Sequence, residues 1–434
     1  MIKGFLHHCF IAIILTIPSI ARAQNVDTEG GIVKGSRIIH VSNLDNDGAG
    51  SFREALKGCG PCVIVFDISG LIELEDDLEI SKPYVTVAGE TSPSPGIILH
   101  GGTLRIRAHN ILISNISIYP GSSFDPKIAE NRDGISIYGS QSKDNNIHNV
   151  VLQNISVGWG VDENISVQGI TDGIRIERSI IAQPLRNGGH PKGVHSMNIL
   201  LSGFTRRVLL LGNIIAGAEQ RNPRLTTGNQ VSLVNNVIAG TGNVATHLDT
   251  SAVIEHEGAI DIIENLYKTS SVSSCKHTAI HIDKHFLEAI PKTLVYIGGN
   301  RIDNELKPNC LSLVNAEREK LSHRNLFPDI NWEYIPIQDL EMHVFKYAGS
   351  HPLNRNPIDR AVLDEIQDGT IAPLENDLQK IKLTKSIKPK RVSDQIFKSR
   401  RIITTSEVPM IRQTLCQKYT SVTGLQSCPY NYAK

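Results

Sequence analysis

Aromatic side chains are scarce in this chain: Phe, Tyr and Trp make up only 5% of its 434 residues, with 2 Trp among them. An excess of either charge is absent too, since 44 Lys and Arg stand against 44 Asp and Glu. Binding nucleic acid through a global field needs surplus positive charge, so that class is excluded for the chain as a whole. Beyond the N-terminus no apolar run approaches the ~20 residues that a membrane-spanning helix needs. Disorder is excluded as well, because 40% of the residues are hydrophobic and only 20% are charged. What the chain has instead is isoleucine, 56 of them. An Ile-rich, ring-poor core suits thin, repeated β-layers better than an amphipathic helical bundle.

The first 23 residues read as a cleaved export signal. Lys3 supplies the positive start, Cys9 to Ile17 the apolar stretch, and Ala21-Arg22-Ala23 the small-x-small cleavage site before Gln24. The apolar run is too short for an anchor. The expected location is therefore periplasmic or extracellular. Once Cys9 is removed, Cys59, Cys62, Cys275, Cys310, Cys416 and Cys428 remain. They form an even set in an exported chain, which favours disulfides. Pairing neighbours is the simplest arrangement, although other pairings satisfy the count. Cys59-Gly-Pro-Cys62 has redox spacing, but it lacks a thioredoxin-like βαβ setting and reads as a loop staple.

The middle of the chain repeats a phrase: short strand, polar residue, second short strand, turn. It occurs at Asn110-ILISNISIYPG, Asn149-VVLQNISVGWG, Gly173-IRIERSIIAQP, Arg207-VLLLGNIIAG, Gln230-VSLVNNVIAG, Gly258-AIDIIENLYKTS and Thr293-LVYIGGNRID. The polar positions are Asn115, Asn154, Ser179, Asn213, Asn236, Asn265 and Asn300. Units of this kind cannot bury an apolar face alone, so they stack into a solenoid. Their Ile and Val would pile up at the ~4.8 Å strand spacing. Their Asn side chains could bond from rung to rung. An ordinary β-sandwich would not repeat one phrase in this way. The expected architecture is all-β, a parallel β-helix over residues 24–320. Residues 321–434 form a helix-containing C-terminal extension packed on it. The basic run from Lys380 to Arg401 reads as a solvated face.

Several phrases in order then resemble family 1 polysaccharide lyases, the pectate lyases. They are Val41-SNLDNDGAGSFREAL, Val63-IVFDISGLIEL, Val85-TVAGETSPSPG, Asp133-GISIYGS, Gly158-WGVDENISV and Arg221-NPR. A weaker echo is Tyr347-AGSHPLNRNPIDRAVLDEIQDGT. The resemblance implies a right-handed parallel β-helix, secretion, and calcium-assisted β-elimination of polygalacturonate. It places Asp133, Asp162 and Glu163 as Ca²⁺ ligands and Arg221 as the base that removes the C5 proton. Lys192 and Arg224 would grip uronate carboxylates. Each has a bland rival: acidic residues decorate turns, arginines cover surfaces, and Lys192 lies in a Gly-rich loop with His190 and His195. That histidine pair hints at a metal only if a third ligand joins it. Trp159 could stack on a sugar or simply pack.

The chain departs from the family pattern at Gln153 and Asn154, where an Asp-His pair is common. It departs again at Ser166, a common acidic position, and at Thr226, a common arginine. Fewer carboxylates imply a weaker calcium site. Two alternatives therefore remain open: a lyase acting on methylated pectin or another uronan, and a carbohydrate-binding β-helix without catalysis. The expected partner is an acidic polysaccharide bound by a monomer, with no nucleic acid and no membrane.

Overall fold

Isoleucine and valine recur because their side chains stack on themselves from strand to strand. One column reads Ile39, Ile64, Val87, Ile113, Leu152, Ile176, Leu210, Leu233, Ile262 and Ile297, each the register partner of the next. Ile64, Val87, Ile113, Leu152, Ile176, Leu210, Leu233 and Ile262 have no exposed surface. Burying each such side chain is worth about 1.5–3 kcal/mol. Rings would interrupt the column, since a bulky side chain on one rung must be accommodated by its neighbours ~4.8 Å away.

A computed structural model describes residues 31–140, 147–250, 257–288, 292–327, 335–377, 381–397 and 402–431. The export segment expected at residues 1–23 lies outside them. Among the described residues the strands form three sheets of ten, eight and ten strands. Each rung gives one strand to each sheet: Ile147–Gln153 lies in the first, Ser156–Gly158 in the third, Glu163–Gln168 in the second. Neighbouring rungs pair in parallel. The exception is Lys390–Arg391, which returns from the C-terminal region to pair antiparallel with Ile68–Glu73. The architecture is the parallel β-helix that the repeats predict.

The asparagine ladder forms, but over fewer rungs than the sequence suggests. Asn213 Nδ2 donates to Asn236 Oδ1, Asn236 to Asn265, and Asn265 to Asn300, each at 2.9 Å. Ser179 ends the ladder, its backbone N–H donating to Asn213 Oδ1 at 2.9 Å. Asn115 and Asn154 do not join. They occupy the preceding, left-handed position (φ 53° and 50°), which Arg178, Gly212, Asn235, Glu264 and Gly299 hold in later rungs. Asn tolerates that conformation. The side chains of Asn115 and Asn154 are turned outward to the C-terminal region. Asn154 Nδ2 donates to the Tyr347 and Gly349 carbonyls at 2.6 and 3.2 Å.

Residues past the last rung cover two sheets. Helix Val408–Thr423 lays Leu415 and Tyr419 on the outer face of the first, against Val63, Val65, Leu112 and Val151. Helices Leu340–Tyr347 and Pro357–Gln367 cover the outer face of the third, with Leu340, Val344, Val362 and Ile366 over Ile180, Ile214 and Val237. The second of these helices is capped by Asn356, which accepts the N–H groups of Ile358 and Asp359 ahead of Pro357. The buried Asp359 accepts hydrogen bonds from Tyr119 (2.7 Å) and Ser156 (2.6 Å). The second sheet is different. One register column on its outward side reads Arg105, Ser136, Ser166, Leu200, Arg224, His247 and His281, polar at every position but Leu200. All six surviving cysteines form neighbour pairs: Cys59–Cys62, Cys275–Cys310 and Cys416–Cys428.

Candidate active site

Four successive connections run from the third sheet to the second. They bridge Tyr119 to Ile135, Gly158 to Glu163, Ala182 to Met197, and Ala216 to Arg224. Stacking the rungs stacks these turns, so residues far apart in sequence share one ridge beside the second sheet. Asp133 comes from the first turn, Asp162 and Glu163 from the next, Lys192 with His190 and His195 from the third, and Arg221 from the fourth. The second turn is short. The longer ones therefore meet across it, and Ser123 N donates to the Gly188 carbonyl at 2.9 Å. Gly189 permits this approach: at φ 100°, a Cβ there would sit 2.0 Å from the Ser123 carbonyl oxygen.

Three carboxylates converge. Oxygens of Asp133, Asp162 and Glu163 lie within 4.8 Å of one another. Asp133 is buried; it accepts the Glu163 N–H at 3.1 Å and a hydrogen bond from the Ser166 hydroxyl. Burial pushes its carboxyl up to about 8, and the nearby Asp162 pushes the same way. Ser166, which replaces an acid expected from the resemblance, therefore serves to hold Asp133. Glu163 is 1% exposed; its Oε1 is ion-paired with the Arg221 guanidinium, and its Oε2 has no hydrogen-bond partner. A buried carboxylate with one oxygen unpartnered, beside two further carboxylates, fits an oxygen-preferring dication.

Arg221 is mostly buried, with 18% of its side chain exposed, and its backbone is left-handed at φ 62°. Its carbonyl accepts Ile199 N–H at 2.8 Å, which fixes the turn. Burial, then the charge of Arg224, lowers its pKa to about 10. The carboxylates of Asp162, Asp133 and Asp249 pull the other way, so the neutral form gains ground when they are engaged elsewhere. Arg224 faces outward on the second sheet and is paired with Asp249. No motif marks Asp249; its only trace in the sequence is a position two residues past His247, on the same strand face.

Lys192 is exposed at the rim, and its backbone N–H donates to His190 Nδ1 at 3.1 Å. His190 and His195 stack with ring centroids 3.6 Å apart, and Asp162 supplies the third group, 3.3 Å from His195 Nε2. The hydrogen bond at His190 Nδ1 decides against a metal there. An Nδ1 that accepts leaves the ring's proton on Nε2, the nitrogen that faces Asp162 at 3.8 Å. Trp159 is fully buried and packs on Tyr119 with centroids 4.9 Å apart, so it has no face to offer a sugar.

A parallel β-helix carrying clustered carboxylates and a buried arginine on its one polar sheet is the class that fold and site define. No family model matches the chain. Among curated proteins, it is 31% identical over 210 residues to a probable pectate lyase C of Emericella nidulans, covering 48% of this chain and 44% of that protein. It is 26% identical over 346 residues to the probable pectate lyase C of Aspergillus flavus, covering 78% and 75%. Among solved structures, a pectate lyase mutant of Bacillus subtilis superposes with TM-score 0.51 at 14% identity, covering 74% of this chain and 94% of that one. The cedar pollen allergen jun a 1 superposes at 0.54 and 15%, covering 74% and 90%. The structural likeness carries the fold, and the sequence relatives carry the resemblance to pectate lyases.

Proposed function

We propose that this chain is an exported pectate lyase, a carbon–oxygen lyase that cleaves polygalacturonate by β-elimination. The observation that carries the reading is Arg221 held beside Asp133, Asp162 and Glu163 on the β-helix's polar sheet. Removing a proton from carbon demands charge stabilisation at the adjacent carboxylate as the enediolate forms. Asp133, Asp162 and Glu163 would hold a Ca²⁺ ion, which would supply that positive charge. Arg221 takes the C5 proton; its lowered pKa gives it a neutral fraction that an exposed arginine lacks. The electron pair left at C5 forms the new C4–C5 double bond as the C4 oxygen departs. Arg224, once released from Asp249, grips a uronate carboxylate with its planar fork. Lys192 at the rim attracts another.

Export is supported by the signal-like first 23 residues and by three disulfides. No helix among the described residues is long and apolar enough to cross a membrane. Incubating the mature protein with polygalacturonate, with and without a chelator, tests the reading. The unsaturated product absorbs in the ultraviolet, and the rate should rise with added calcium. No absorbance with any pectic substrate, at neutral or alkaline pH, overturns it. A second reading, a lyase on methylated pectin, gains support from Ser166, which stands where the resemblance expects an acid. Fewer carboxylates make a weaker calcium site, and an ester needs no metal bridge. Rates on pectins of graded methylation decide between the two.

A further inference from the structure

One rung beyond Arg224 the polar sheet carries a short repeat, His247-Leu-Asp249 above His281-Ile-Asp283. His247 and His281 are register partners on adjacent parallel strands, and His247 is also the partner of Arg224. Alternation sends each His and the Asp two residues later to the same face, while Leu248 and Ile282 point into the core. Two imidazoles and two carboxylates thus share one patch of the outer surface.

We propose that His247, Asp249, His281 and Asp283 form a site for a transition-metal dication of the zinc class, separate from the carboxylate cluster beside Arg221. Asp283 Oδ1 lies 3.1 Å from His247 Nε2 and 3.3 Å from His281 Nε2. Donor atoms of His247, Asp249 and Asp283 lie within 4.8 Å of one another. Metal–ligand bonds of about 2.0–2.1 Å in a tetrahedron set its donors about 3.3 Å apart, and the two gaps at Asp283 match that spacing. The nitrogens suit the role. Neither His247 nor His281 has an Nδ1 hydrogen bond among the described contacts, and His281 Nδ1 is buried without a partner. With no acceptor demand at Nδ1, each ring can carry its proton there and offer Nε2 to an ion, which His190 cannot do. Two imidazoles select zinc, cobalt, nickel or copper over calcium or magnesium, which prefer oxygen.

Without metal the same Nε2 atoms face Asp283, and Asp249 neutralises Arg224. Loading the site draws Asp249 onto the ion and exposes Arg224, so metal at one rung sets the charge that the adjacent rung presents.

Isothermal titration of the chelator-stripped full-length mature protein with Zn²⁺ tests this and needs no polysaccharide. One ion should bind per chain at micromolar metal. Co²⁺ in its place should give the visible absorption of a tetrahedral centre. Calcium in excess should not displace either ion. Asp283→Asn and His281→Gln should each weaken Zn²⁺ binding more than about tenfold. His190→Asn should leave it unchanged. Melting curves in chelator establish that each variant is folded. No stoichiometric binding, equal competition by Ca²⁺, unchanged binding in both site variants, or loss of binding in His190→Asn would each overturn the proposal.

Discussion

Arg221 shows how far one residue's chemistry depends on its surroundings. Free in water, a guanidinium is protonated at every working pH. Here burial and Arg224 lower it to about 10. The sign follows directly: the base is the neutral form, and its fraction grows about tenfold per pH unit up to that value. Turnover should therefore climb with alkalinity and level off near pH 10. Arg221→Lys should cut kcat about 10²–10⁴-fold with a smaller change in KM. Initial rates by ultraviolet absorbance across a pH series check both. An unshifted pH profile in an active Arg221→Lys enzyme would remove Arg221 from the role of base. The motif made Arg221 visible in the sequence; the burial that makes it usable was not, because burial belongs to the stacked turns.

At the scale of the element, the Asn ladder and the left-handed turn divide the work that a single repeated phrase implied. In the later rungs each ladder Asn satisfies the backbone N–H and side-chain amide of the rung before it. Asn236→Ala would leave the Asn213 N–H and Nδ2 without their shared acceptor in a dry interior. That should cost about 1–3 kcal/mol, read as a lower urea midpoint with unchanged slope. Asn154→Ala should act elsewhere. It removes the bonds to the Tyr347 and Gly349 carbonyls and to the Tyr419 hydroxyl, so hydrogen exchange should rise selectively around 340–349 and 415–423. The two positions look alike in sequence because both are Asn between short strands. Only the backbone conformation, φ 50° at Asn154, separates them.

For the whole molecule, the C-terminal region decides where a ligand can approach. It covers the outer faces of the first and third sheets with apolar residues and leaves the charged column of the second. Removing residues 321–434 should expose Val63, Val65, Leu112, Ile180, Ile214 and Val237, and such a patch drives association. The truncated chain should bind a hydrophobic dye and aggregate, measured by light scattering; a soluble, monomeric product would show that the extension is dispensable. Charge balance across the chain then has a plain meaning. With no net field, attraction to a polyanion must come from a few residues, Arg224 and Lys192 among them, along one sheet.

The amino-acid sequence by itself determined the strand repeats, the aliphatic columns, the even cysteine count and the order of the site motifs, because period, composition and spacing are properties of the chain. It did not determine which Asn would ladder, that Trp159 is core, that Ser166 holds Asp133, or that Asp249 meets Arg224. Those were decided by tertiary structure. Each depends on which residues the rung register and the turn lengths bring within a few ångströms, and a chain of varying loop lengths does not display that register in one dimension.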